Sequence, residues 1–520
     1  MTPRTSGSGT TPGPGPLRRR LVLLLQVLLV VALGLPAGFA AGPALLGPGP
    51  AAPAPPVPAW HQAPDTLAAA GGPPAGPDAG TGANLGAGTG TVAPLSATAP
   101  RPEPALLAAR LNETLRPVGD GSFTGVVQDA VTGEVLFDRS ADAARVPASN
   151  MKLLTAVAAL RTLGPERRFS TRAVAGAGPG TVILTGGGDV LLGAGESDPG
   201  AVQGHAGLAS LAKSTVRALA DDGVSAPLSV QLDDSMFTGP ALNPAWNLAD
   251  VAAGEVAPLF PLALNSARYD PAKTTGPRPQ DAAMSAADVF AAELTAAAAA
   301  AGLTVAPGGV SRVPAGAGPV AGAGPDGSAD GPRVLAEVRS ATVGQQVELL
   351  LRTSDNYLTE AIGRMAALAA GAAGSNEGAA ATVLQQLEEL NVPAATVRAA
   401  DVSGLALDNQ VSTRQLAEVV RAITSGTDPR LRAALAGFPV AGLTGTLGER
   451  YAEAGTVGGA GLVRAKTGTL NSVNSLTGYV VDADGRLLVF SFIGNGMTAG
   501  AANRTALDRT AAVLAGCGCR

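Results

Sequence analysis

Ser149-Asn150-Met151-Lys152, Ser354-Asp355-Asn356 and Lys466-Thr467-Gly468-Thr469 stand in that order along the chain. Each holds residue types that an acyl-transfer reaction needs. A serine hydroxyl is a poor nucleophile until a base removes its proton. On a helix, residues i and i+3 share a face, which brings the Lys152 amine toward the Ser149 hydroxyl. That amine can serve as the base if burial and a neighbouring positive charge lower its pKa; Lys466 is the expected neighbour. Ser354 suits a proton relay to a leaving amine, and the Asn356 amide can hold both substrate and Lys152. Lys466 and Thr467 suit a substrate carboxylate, and Gly468 lets the substrate lie close to its strand. The backbone N–H groups of Ser149 and Thr469 suit an oxyanion hole, where each donor is worth about 10²- to 10³-fold in rate. Taken singly, each motif has a plain structural reading as a helix face, a cap or a strand end. The ordered set makes a serine acyl-transfer site the leading reading.

Other chemistries have little to work with. The chain has two histidines, His61 and His205. His61 lies in a Pro/Ala-rich stretch, and His205 sits in Gly204-His205-Ala206 with no motif around it, so it reads as a surface or cap residue. A His-rich zinc site and a Ser-His-Asp triad are thereby disfavoured, and no metal or cofactor is expected. The net charge of −5 disfavours a nucleic-acid partner. Cys517 and Cys519 form a C-G-C near the terminus, read as a locally bridged or free appendage, while the body is cysteine-free.

The N-terminal region reads as export machinery. Arg18-Arg19-Arg20 precede an apolar run, Leu21 to Leu35, followed by small residues. Residues 1–41 therefore read as a secretory signal or an uncleaved membrane anchor. Residues 42–104 are rich in Ala, Gly and Pro and nearly uncharged, the composition of a disordered tether.

The folded part begins near Ala105. A short helix is expected over 106–115 and a β-hairpin over 123–138. Pro147 opens a helix through Leu160 that carries Ser149 in its first turn. Residues 169–335 differ, with strand-like runs at 181–185 and 228–232, an Ala-rich helix over 287–301 and a Gly/Ala/Pro loop over 314–332. They read as an inserted region of one or two small domains. Helices return over 344–370 and 378–390. Ser412 to Gln415 is a capping-box pattern opening another, and a hairpin over 472–495 and a closing helix over 501–514 follow. The catalytic part is then 105–168 with 336–516, an α/β (α+β) sandwich whose sheet is built from both ends of the chain.

The three motifs are the S-x-x-K, S-D-N and K-T-G set of penicillin-recognising serine enzymes. With Pro147 to Thr155, Gly186-Gly187-Gly188-Asp189, Asp401 to Leu405 and Gly445-Thr446-Leu447, the chain resembles the low-molecular-mass class C penicillin-binding proteins from about Ala105 to Ala515. These are D-alanyl-D-alanine carboxypeptidase/endopeptidases. The resemblance implies a penicillin-binding-protein/β-lactamase-like serine transpeptidase fold with an insertion between the first two motifs. Their separation, nearly twice that of the second and third, agrees. It also implies acylation of Ser149 by peptidoglycan stem peptides, and by β-lactams as inhibitors. A β-lactamase and a non-catalytic wall-binding module on the same fold are the alternatives. Glu360 is one residue a lactamase would offer as deacylating base, and a structural role is its other reading.

Overall fold

In β12 (Leu487–Asn495), successive residues point to opposite faces. Leu488, Phe490 and Phe492 enter one apolar cluster, with Phe123 and Val127. Val489 and Ile493 enter another, with Leu153, Val157 and Leu160. A strand apolar on both faces must be covered on both. The computed structural model, which describes Leu95 and residues 98–314, 321–322 and 331–519, places it inside a five-stranded antiparallel sheet. The order is β10 (Arg464–Leu470), β11 (Val473–Val481), β12, β1 (Ser122–Asp129), β2 (Val135–Arg139). Ser122 pairs with Asn495 and Asp129 with Leu488, so the two ends of the chain share one sheet. Helices α1 (Pro104–Thr114) and α10 (Ala502–Ala515) supply apolar side chains to the first cluster.

On the other face lies α2 (Met151–Thr162), in which every residue from Met151 to Leu160 is buried. A helix buried on all sides and largely apolar, Lys152 and Thr155 apart, belongs in the middle of a core. Around it pack α6 (Val343–Thr353), α7 (Asn356–Ala369), α8 (Asn376–Glu389) and α9 (Thr413–Ser425). The Ser412–Gln415 capping box forms as expected.

A second sheet has the order β6 (Ser311–Arg312), β5 (Ser229–Asp233), β4 (Thr181–Thr185), β3 (Ser170–Ala175), β9 (Val334–Arg339). The β4–β5 and β5–β6 pairs are parallel. Helices α3 (Leu208–Asp221) and α5 (Ala282–Ala300) share its core through Leu211, Val216, Phe290 and Leu294. The helix expected from 287 starts earlier, because Asp281 caps it by accepting from the Met284 N–H at 2.9 Å. Short segments 321–322 (β7) and 331–332 (β8) pair with each other.

Two further expectations change. The helix foreseen over 344–370 is two helices. Ser354 takes a left-handed φ of 62° and Asp355 caps α7, accepting from the Leu358 N–H at 2.9 Å. The apolar period runs through the break and hides it, whereas Ser and Asp side chains favour caps over helix interiors. Order also begins before 105: the Arg486 guanidinium donates to the Ala99 carbonyl at 3.3 Å, and the Glu103 carboxylate caps α1. The expected signal, most of the tether, His61 and most of the 314–332 loop lie outside the described residues.

The terminal C-G-C is no loose appendage. Cys517 and Cys519 are bridged and buried in the cluster beneath α1 and α10. The Cys519 carbonyl accepts from the Glu103 N–H at 2.6 Å, which joins the chain's exit from the sheet domain to its entry.

Candidate active site

Ser149 sits in a 3₁₀ turn, Ala148–Asn150, that leads directly into α2. The residue before it, Ala148, has φ 48°, a conformation that disfavours side chains with a Cβ. Three groups hold the turn: the Ser475 hydroxyl on β11 donates to the Pro147 carbonyl at 2.7 Å, the Asn150 amide donates to the Thr477 hydroxyl at 2.9 Å, and Gly404 (φ 85°) presses against the Ala148 carbonyl so closely that a Cβ there would collide with it.

The Lys152 amine is fully buried. It donates to Ser149 Oγ at 3.0 Å, Asn356 Oδ1 at 2.6 Å and the Ser403 carbonyl at 2.7 Å. Three acceptors match the three protons of an ammonium. Burial lowers its pKa to about 8, against the carboxylates of Asp401, Glu360, Asp355 and Glu255, which pull it up. Of the two expected causes, burial is the leading one, and the charge of Lys466 is not among the main influences on Lys152. The influence shows most on Lys466 itself, whose pKa is held well below the ordinary value by burial and by the charge of Lys152.

Lys466, on β10, is also buried. It donates to Ser354 Oγ at 2.9 Å and to the Thr467 carbonyl at 2.8 Å. The left-handed turn at Ser354 is what swings that hydroxyl out of the helix line toward the strand. Asn356 spends its carbonyl on Lys152 and donates from Nδ2 to the Glu255 carbonyl at 3.0 Å. The second Nδ2 proton is the one left to meet a substrate. Thr467 Oγ1 lies 2.7 Å from Thr446 Oγ1. Gly468 lies against Ser475, Pro147 and Ala148, where a Cβ would not fit, so its role includes packing the strand to the turn that carries Ser149. Thr469 follows on β10 with its side chain exposed. β10 is an edge strand; its start is covered, the Ala465 N–H donating to the Pro439 carbonyl at 3.0 Å, while its outer edge at Thr467 to Thr469 has no neighbouring strand.

Thus Ser149, Lys152 and Asn356 are joined directly, and Ser354, Lys466 and Thr467 form a second linked group. His205 is placed elsewhere, against Arg168 and the Ala201 carbonyl. Among the described residues, no group of three or more His, Cys, Asp or Glu side chains could hold a metal ion.

Sequence reasoning marked Gly186–Asp189 and Asp401–Leu405 by resemblance alone, gave them no role, and missed the supports around Asp355. Asp355 is buried; burial pushes its carboxyl up, but Arg268 and the Leu358 N–H hold it below its usual value. Arg268 pairs with it at 2.7 Å and the Ser266 hydroxyl donates to it at 2.8 Å. Ser266 and its neighbours Asn265 and Ala267 all have left-handed φ without a glycine, so no residue type signals the turn. The loop after Asp401 is tied by that carboxylate, which accepts from the N–H groups of Gly404, Leu405 and Ala406 at 2.7–3.0 Å. In the Gly186–Asp189 segment, Gly188 (φ 99°) abuts Met365 of α7. There Asp189 accepts from the Leu191 N–H at 2.9 Å, which fixes the turn between the second sheet and the helices.

A mixed α/β sandwich with a serine on a buried helix, its lysine, a Ser-Asp-Asn break and a Lys-Thr-Gly edge strand defines a penicillin-recognising serine hydrolase. Residues 107–307 and 321–516 match the D-Ala-D-Ala carboxypeptidase 3 (S13) family, and the chain belongs to it; it is a serine carboxypeptidase. A carboxypeptidase of Mycobacterium tuberculosis is 37% identical over 431 residues, covering 82% of this chain and 87% of the relative. Carboxypeptidase DacB of Mycolicibacterium smegmatis is 36% identical over 432 residues, covering 82% and 88%. The crystal structure of penicillin-binding protein 4 (dacB) from Haemophilus influenzae shares the fold, with a TM-score of 0.59, 18% identity, and coverage of 77% of this chain and 97% of that one.

Replacing Thr446 with valine removes the hydroxyl that orients Thr467. The loss of one neutral hydrogen bond predicts a roughly 3- to 10-fold higher KM for a D-Ala-ended peptide with little change in kcat. Steady-state kinetics check it; an unchanged KM would show that Thr446 takes no part in substrate binding.

Proposed function

We propose that Ser149 is the nucleophile by which this carboxypeptidase cleaves the D-alanyl-D-alanine end of peptidoglycan stem peptides. The observation that carries this reading is the Lys152 amine, buried and bonded at once to Ser149 Oγ, Asn356 Oδ1 and the Ser403 carbonyl. Neutral Lys152 takes the hydroxyl proton as Oγ attacks the penultimate D-alanine carbonyl. The oxyanion forms against the N–H groups of Ser149 and Thr469. Ser354, bonded to Lys466, passes a proton to the leaving amine of the terminal D-alanine. Water then releases the acyl group. Lys466, Thr467 and the Thr446–Thr467 hydroxyl pair receive the terminal carboxylate, while Gly468 and the open edge of β10 receive the extended peptide backbone. If the leaving amine belongs to a cross-linking peptide instead, the same steps constitute endopeptidase activity.

A β-lactam presents a carboxylate and a strained amide in the same relation, so penicillin acylates Ser149. No deacylating base is assigned: Glu360 is committed to the N–H groups of Val402 and Ser403. The acyl-enzyme is therefore long-lived. Such a substrate places the enzyme outside the cytoplasm, at the cell envelope. Residues 1–41 serve as export signal or membrane anchor, 42 to about 97 as tether, and 169–335 as an insertion in the catalytic domain formed by 98–168 and 336–519.

Intact-mass measurement after brief incubation with penicillin, beside a Ser149→Ala control, tests the assignment. A stable adduct lost in the variant is expected. Penicillin consumed without an adduct would indicate a β-lactamase, and penicillin left intact without an adduct a binding module.

A further inference from the structure

Lys152 receives its third acceptor from a backbone carbonyl, that of Ser403, and a backbone carbonyl points only where its loop points it. Two buried carboxylates shape that loop. Asp401 accepts from the N–H groups on its far side, Gly404 to Ala406, and from the Trp246 indole at 2.9 Å. Glu360 accepts from Val402 N–H at 3.1 Å and Ser403 N–H at 2.8 Å. Glu360 thus holds the two peptides that lead into Ser403, Asp401 holds the Gly404 N–H of the peptide that leaves it, at 2.8 Å, and the Ser403 carbonyl of that last peptide is presented to Lys152. Glu360 lies one helical turn after Asn356 on α7, so residues i and i+4 of one helix face hold the same amine, one directly and one through the loop.

We propose that Glu360 is a positioning residue for acylation: it fixes the Ser403 carbonyl against the Lys152 amine and adds negative charge that sets how tightly that amine holds its proton. The inference rests on the reading of Ser149 and Lys152 given above. The charged groups facing Glu360 are Asp401 from the loop and Arg364 from its own helix. Those facing Lys152 are Asp401, Glu360, Asp355 and Glu255, with Lys466 from β10. Burial, with the charge of Asp401, raises the Glu360 carboxyl to about 7. Its charge is therefore present through most of the range in which Lys152 titrates, near 8.

The two contributions separate by substitution. Glu360→Gln keeps an oxygen to accept from the loop and removes the charge. Glu360→Ala removes both. For the full chain, the second-order rate of Ser149 acylation by penicillin is measured from pH 6 to 10, with thermal unfolding as a control. Glu360→Gln should keep most of the plateau rate, with its acidic limb moved down by roughly one pH unit, the effect of a single charged neighbour. Glu360→Ala should lower the plateau roughly 10- to 100-fold, since a misplacement of about 1 Å costs up to about 10²-fold. A Glu360→Gln limb that superimposes on that of the parent protein would overturn the proposal, as would a folded Glu360→Ala that acylates at the parent rate. If Glu360→Ala does not fold, the Glu360→Gln limb decides alone. Absence of a Ser149 adduct in the unsubstituted protein would instead overturn the parent reading, and this one with it.

Discussion

Lys152→Met should slow the acylation of Ser149 by penicillin by about 10²- to 10⁴-fold, the contribution of a positioned general base. Methionine fills most of the buried stem volume but takes no proton. In the unsubstituted protein the acylation rate should climb with pH about a midpoint near 8, where the buried amine loses its proton. In the variant this climb should vanish, leaving a low and flat profile. Stopped-flow or quenched acylation over pH 6–10 reads both effects, and a surviving midpoint near 8 would place the base elsewhere.

The same residue leaves a mark on stability, with a definite sign. In the folded protein Lys152 titrates near 8, against 10.5 ordinarily. Between these values the unfolded chain binds the proton and the folded chain does not, so stability rises with pH across that window. Below about 8 both states are protonated and the full cost of burying the charge is felt. Lys152→Met should reduce the slope of stability against pH in the window without abolishing it, because Lys466 is depressed as well. Urea midpoints at several pH values from 7 to 10 measure that slope.

Gly404→Ala should be the most damaging single methyl group in the site. At φ 85° an alanine is strained, and its Cβ would drive into the carbonyl of Ala148, the residue before the nucleophile. The combined cost is about 3 kcal/mol or more. The only relief is to move either the nucleophile turn or the loop that presents the Ser403 carbonyl, so acylation should fall along with stability. Gly371→Ala provides the comparison. It also has a left-handed φ, 81°, but its Cβ would meet nothing, so about 1–2 kcal/mol is expected with acylation unchanged. Equal losses at the two positions would mean that backbone strain, not the collision, governs Gly404.

What could be read from residue types alone was the local chemistry and the elements with strong periodicity. Ser149, Lys152, Ser354, Asn356, Lys466 and Thr467 were named from motif order, and the structure brings Ser149, Lys152 and Asn356 into direct contact. The terminal strands and the Ser412 cap were equally legible, because their alternation and capping chemistry are local. The break at Ser354 was not, since the apolar period continues through it and outweighs the cap preference of Ser354 and Asp355. The Asp401–Leu405 loop was marked by resemblance alone, and its contact with Lys152 was not legible. Glu360 and Asp401 act there through backbone N–H groups, which every residue carries, so nothing in the spelling of Val402-Ser403 announces the contact. The dominance of burial over Lys466 in tuning Lys152 also depends on packing that no motif records.

The first sheet has a consequence for the order in which this protein comes into being. β1 lies between β2 and β12, and β12 ends at Asn495, so β1 can pair with β2 at once but gains its other neighbour only when the chain has been made through Asn495. At ~5–20 residues per second, ribosomal synthesis delays that closure by tens of seconds. Until then the β1–β2 hairpin is a two-stranded ribbon, marginal by itself, and the nucleophile turn lacks its supports at Ser475 and Thr477. An early folded domain cannot form around Ser149. For a chain passed across a membrane during or soon after synthesis, this late closure keeps the leading segment threadable and the turn at Ser149 unassembled until the last strands arrive.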